Sequence, residues 1–140
     1  MVIDLKKKLD ADFNYEPFNL NDIRNRVNLD DCYTYYNHIY FNDTLTPCDF
    51  IELRWNHLLG ESAGMFIKSY NSIVIELNPI YLNLYPEEFS SIFVHEMIHL
   101  IAIKHDQKFL DEVTRIRKLG LEITVCCKHN IKIMNKSVIF

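Results

Sequence analysis

Val94-His95-Glu96-Met97-Ile98-His99-Leu100-Ile101-Ala102-Ile103-Lys104-His105 is the stretch on which the reading of this chain turns. It contains the pattern His-Glu-x-x-His, and a third histidine follows six residues after the second. On a helix, residues four apart lie one above the other, so the imidazoles of His95 and His99 can reach a single ion. Glu96 stands beside them, placed to take a proton from a water held by that ion. A catalytic zinc takes three protein ligands and leaves one position for water or substrate, and His105 is the candidate third ligand. Six residues of unbroken helix would turn His105 about 120° away from His99. The helix is therefore expected to end near Ala102 to Lys104 and let the chain turn back. At this chain's own histidine and glutamate frequencies, the five-residue pattern alone arises by chance in roughly one or two chains per hundred. The third histidine and the apolar helical setting are what carry the assignment of Zn2+ to His95, His99 and His105, with Glu96 as the catalytic base.

The 140 residues are 49% apolar and 24% charged, the composition of an ordinary globular domain able to bury its own core. No apolar run approaches the roughly 18 residues that span a bilayer, so no membrane association is expected. The start Met1-Val2-Ile3-Asp4-Leu5-Lys6-Lys7-Lys8 has its charges after a very short apolar opening, which is not the order of a secretory signal. Cys32, Cys48, Cys126 and Cys127 form no Cys-x-x-Cys pair. They read as free thiols in a reducing compartment, so an intracellular protein, in cytoplasm, nucleus or nucleoid, is expected. The net charge of −4 is unevenly spread. Residues 1–103 carry 7 basic and 15 acidic side chains, whereas residues 104–140 carry 8 basic and 4 acidic. The basic end is compatible with phosphate contacts, and equally with a lysine-rich solvated surface.

Along the chain, residues 1–27 read as a polar arm with a short helix near Asp4 to Leu9, and residues 28–140 as the single domain. Leu29, Cys32, Tyr33, Tyr36, Ile39 and Tyr40 recur at helical intervals, with Asn28 or Asp30 as the cap. Residues 41–47 read as a turn. Three strands are expected over 50–55, 63–67 and 72–77, forming a small antiparallel or mixed sheet. Asn78-Pro79 ends the third strand. Pro86-Glu87-Glu88 opens a helix from about Glu87 to Ile103. Asp106 caps a second helix to about Lys118, which places Phe109, Leu110, Val113 and Ile116 or Arg117 on its core face, and Leu119-Gly120 stops it. Two short strands are expected at 121–126 and 131–134. The fold class is α+β, a sheet of three or slightly more strands packed on the His-Glu-x-x-His helix and flanking helices.

An ordered set of further motifs brings a resemblance into view. Tyr40-Phe41-Asn42-Asp43-Thr44-Leu45, Leu53-Arg54-Trp55-Asn56, Ser62-Ala63-Gly64 and Ile75-Glu76-Leu77-Asn78 with Tyr81 precede the zinc helix. His105-Asp106-Gln107-Lys108-Phe109, Arg115-Ile116 and Leu119-Gly120-Leu121-Glu122-Ile123-Thr124 follow it. In this order, over about residues 28–126, the chain resembles the SprT-like metalloprotease family, which includes the Spartan-type DNA–protein crosslink proteases. The chain departs from that pattern in three places. Only five residues separate the second and third histidines, Asp106 stands where the family has glycine, and the cysteine pairs of a C-terminal zinc ribbon are missing. A metzincin would also fit the histidine spacing but expects glycine at position 102, which is alanine here.

The resemblance implies a monomeric zinc endopeptidase whose substrates are proteins attached to or near DNA, single-stranded or protein-crosslinked. The alternative is a non-catalytic zinc-containing module that binds DNA or a protein, against which Glu96 argues, since holding a metal needs no carboxylate there. A third reading is a structural protein with an empty site. Tyr70, Tyr81, His57 and Arg54 are conceivable oxyanion partners, with a structural role favoured for each. Trp55 could line the cleft, but core packing is favoured. Asp106 and Glu112 are the substitutes to consider if His105 is not the third ligand.

Overall fold

The computed structural model describes residues 19–125, so the expected helix near Asp4 to Leu9 and the strand at 131–134 lie outside the described residues. The architecture is α+β, with one three-stranded mixed sheet and helices packed on it. Helix α1, Leu29–Phe41, begins where the Asn28 side chain accepts the Asp31 N–H, with Asp30 and Asp31 facing the positive helix end. It ends because Asn42 and Asp43 take left-handed backbone conformations, at φ 52° and 61°. The buried Asn37 amide then fixes the following turn, donating to the Leu45 carbonyl and accepting its N–H.

Strands β1 (Glu52–Trp55), β2 (Gly64–Lys68) and β3 (Ile73–Leu77) form a sheet in the order β1-β3-β2, with β3 parallel to β1 and antiparallel to β2. The register aligns Leu53 with Ile75, Trp55 and Gly64 with Leu77, and Phe66 with Ile75. Because strand side chains alternate between faces, these residues share the inner face. Glu52, Arg54, Met65, Ile67, Val74 and Glu76 take the outer face.

A short helix, α2 (Pro79–Leu84), follows directly and was not expected from the sequence. Asn78-Pro79 does end the strand, but the Asn78 side chain also accepts the Ile80 N–H and Pro79 fills the first helical position. Six residues are too few to display a helical period. Tyr81 and Leu82 of α2 are fully buried.

Helix α3 (Phe89–Ile98) runs through the middle of the molecule, preceded by a single 3-10 turn at Pro86–Glu88. Nine of its ten residues are buried, Ser91, His95 and Glu96 among them, as expected of a helix covered on nearly all sides. Phe93 meets Tyr36 and Phe89 edge-on at 5.5 and 5.6 Å, and Phe89 meets Trp55. Trp55 is therefore a packing residue. The helix is shorter than the expected span to Ile103. Helix α4 (Gln107–Lys118) starts where Asp106 accepts the Phe109 N–H, and buries Phe109, Val113 and Ile116. It closes at Leu119 and Gly120, the latter at φ 106°.

The strand expected from Leu121 onward does not form among the described residues, which continue irregularly to Val125. Ile123 is fully buried and packs on the core with Leu121 and Val125, which accounts for the alternation of apolar and polar residues there. Its carbonyl, however, accepts Arg117 Nε–H, and the carbonyl of Thr124 faces His95 Nδ1. Side chains occupy the acceptors that a neighbouring strand would need. Among the described residues no helix is long and apolar enough to cross a membrane.

Candidate metal centre

The centre is built where α3 stops. After Ile98 the backbone tightens, with His99, Leu100 and Ile101 each donating to the carbonyl three residues back, and Ala102 donating to Ile98. The helix thus ends earlier than the expected Ala102 to Lys104, and that early stop gives the chain room to bring His105 back. The ring of His105 lies 5.1 Å from that of His95 and 5.0 Å from that of His99. One ligand nitrogen from each of His95, His99 and His105 lies within 4.8 Å of the others, and Nε2 of His105 is 3.3 Å from Nε2 of His99.

Two of the rings are oriented by backbone carbonyls. His95 Nδ1 is 2.7 Å from the Thr124 oxygen, and His99 Nδ1 is 3.1 Å from the Ala102 oxygen. A carbonyl can only accept, so Nδ1 carries the proton in both rings and Nε2 of the neutral imidazole keeps its lone pair for a metal. The stop after Ile98 contributes here too, because the carbonyl of Ala102 no longer serves a helix. Phe109 packs against all three imidazoles, with centroids 4.9, 4.8 and 4.6 Å from His95, His99 and His105. Phe66 of β2 covers His99 from the sheet side at 5.5 Å.

Glu96 lies next to this cluster and is wholly withdrawn from solvent, at 0% exposure. Neither carboxylate oxygen has a hydrogen-bond partner among the described residues. Burial pushes its carboxyl well above the usual carboxylate range. It is accommodated by Gly64, where an added Cβ would stand 3.2 Å from Glu96 Cγ, Glu96 Oε2 and Ile92 Cγ2. A buried carboxylate without a partner is costly in a core that offers nothing to neutralise it. The three converging imidazole nitrogens fit a divalent cation with nitrogen preference and one position left for an oxygen ligand.

The other residues singled out in the sequence are placed elsewhere or otherwise engaged. Tyr81 is buried and donates to Glu88 Oε1 at 2.7 Å. Arg54 binds Glu76 and Glu52 on the outer face of the sheet. Tyr70 is fully exposed in the β2–β3 loop, and His57 lies in the β1–β2 loop. Asp106 caps α4 and Glu112 pairs with Arg115, so both acids have structural work of their own. Sequence reasoning missed the contributions of Gly64, Ala102 and Thr124. A glycine that admits a carboxylate and carbonyls that aim rings leave no side-chain signal to find.

The model of the SprT-like family matches residues 29–129 of the chain. No curated protein matches it significantly.

Proposed function

The chain belongs to the SprT-like family, and from that premise we propose that it is a zinc-dependent endopeptidase that acts on proteins attached to or near DNA. The observation that carries the catalytic half is Glu96, next to His95 on α3, buried and without a hydrogen-bond partner among the described residues. His95, His99 and His105 are the proposed metal ligands, each presenting a nitrogen to the shared point. When bound, zinc supplies the Lewis acidity that makes water nucleophilic near neutral pH and polarises a carbonyl. Glu96 takes the proton from the attacking water on a carboxylate oxygen and returns it to the departing amine nitrogen. Burial raises the basicity of its carboxylate, which suits a group that must accept a proton during the reaction. Phe109 and Phe66 keep bulk water off the rings, so the polar contacts at the site act in a medium of low dielectric.

The DNA half of the proposal is supported by the family likeness and by the basic excess of the C-terminal end. Much of that excess comes from Lys128, Lys132 and Lys136, beyond the described residues. The test is cleavage of a protein covalently attached to single-stranded DNA, compared with the same protein free of DNA and with Glu96→Gln enzyme. Cleavage that needs both Glu96 and DNA is the expected result. Cleavage indifferent to DNA would leave a general zinc peptidase and discard the DNA half.

A further inference from the structure

The two carbonyls that orient the histidines come from different distances along the chain. Ala102 follows His99 by three residues and lies in the same turn, so His99 is oriented locally. Thr124 stands 29 residues beyond His95, and its oxygen arrives only after α4 has run its length and the chain has reversed at Leu119 and Gly120. Two contacts bring it there. The Ile123 side chain is buried at 0% exposure, and Arg117 Nε–H donates to the Ile123 carbonyl at 2.8 Å. Arg117 lies on the last turn of α4, next to the reversal it spans.

We propose that residues 121–125 are a positioning device for His95, with Arg117 as the positioning residue that holds the Thr124 carbonyl on the His95 ring. The inference rests on the reading of His95, His99 and His105 as metal ligands. The chemistry is that of an outer partner of a metal ligand: an acceptor on Nδ1–H fixes the tautomer, aims Nε2 and raises its basicity. Because the acceptor is a backbone oxygen, its placement depends on the clamp on the neighbouring peptide. Removing the Arg117 donor lets residues 121–125 move, and His95 loses its fixed orientation while His99 keeps its own.

The experiment measures the rate at which zinc-loaded protein gives up its metal to a competing chelator, together with the visible spectrum of the Co2+-substituted form. Arg117→Ala is expected to release zinc about tenfold faster, at the lower end of the range for outer partners of metal ligands, and to alter the Co2+ bands. Arg117→Lys, which retains a donor, should recover part of the loss. Arg115→Ala, which removes a neighbour bound to Glu112 and lying over Phe41, should release zinc at the wild-type rate. Far-UV circular dichroism of each variant separates a moved ligand from an unfolded chain. Release from Arg117→Ala no faster than from Arg115→Ala would overturn the inference and leave the metal site standing. Wild-type protein that retains no zinc would instead bring down the metal reading, and this inference with it.

Discussion

Glu76 and Glu96 are both withdrawn from solvent, at 3% and 0% exposure, yet their surroundings differ completely. Glu76 sits on the outer face of the central strand β3, where Arg54 Nε donates to one oxygen at 2.6 Å and Asn56 Nδ2 to the other at 3.0 Å. Glu96 sits on the central helix α3 between an apolar wall and a glycine, with no donor to either oxygen among the described residues. The first is how a fold accommodates a buried carboxylate: a charge partner and hydrogen bonds offset the loss of water. The second would be a defect in an inert core. One residue along the helix from His95, it fits the role of base in the proposed reaction. The contrast sets a paired structural acid against the acid proposed to act as base.

Predictions that bear on this contrast differ in size. The largest effect is expected for Glu96→Gln. It should lower hydrolysis by about 10²- to 10⁴-fold, the usual worth of a general base, while zinc content and melting temperature hold. Parallel metal analysis and peptide hydrolysis measure both. Phe109→Ala comes next. Removing a fully buried ring that touches all three imidazoles should cost about 3–5 kcal/mol in urea unfolding and weaken metal retention, whereas Phe109→Leu should keep most of the stability. On the structural side, Asn56→Ala removes the donor to Glu76 Oε1 and the acceptor for Leu58 N–H. A loss of about 1–2 kcal/mol is expected, with zinc affinity and hydrolysis unchanged; a catalytic defect there would blur the distinction between the two acids. The smallest change in stability is expected for Gly64→Ala, under about 1 kcal/mol. Its Cβ would displace the Glu96 carboxylate by a few tenths of an ångström, so turnover should fall at constant zinc content. Unaltered turnover would mean that the close approach of β2 to Glu96 serves packing alone.

The three histidines were legible because metal ligation needs particular residue types at particular spacings, and the helical period fixes what one turn can bring together. The need for an early helix end was legible for the same reason, since an intact helix would carry His105 away. Its position was not. Whether a buried helix stops at Ile98 or runs on to Ala102 depends on backbone hydrogen bonds that apolar side chains at 98, 100 and 101 do not advertise. The three strands were found from their β-branched and aromatic runs, but helix α2 was hidden in the Asn78-Pro79 pair, which signals a strand end and a helix start at once. The stretch from Leu121 to Val125 misled in the opposite direction. Its alternation comes from Leu121, Ile123 and Val125, which pack on the core, and the carbonyls of Ile123 and Thr124 go to Arg117 and His95 rather than to a strand. Orientation of the His95 and His99 rings lies in the backbone oxygens of Thr124 and Ala102, which any sequence can supply.

The measurement that bears most directly on the three-histidine centre is the zinc content of purified wild-type protein set against His95→Ala and His105→Ala. A single zinc per chain in the wild type, held tightly and lost from both variants, is the predicted result. Substoichiometric zinc in the wild type, unaffected by either substitution, would contradict it.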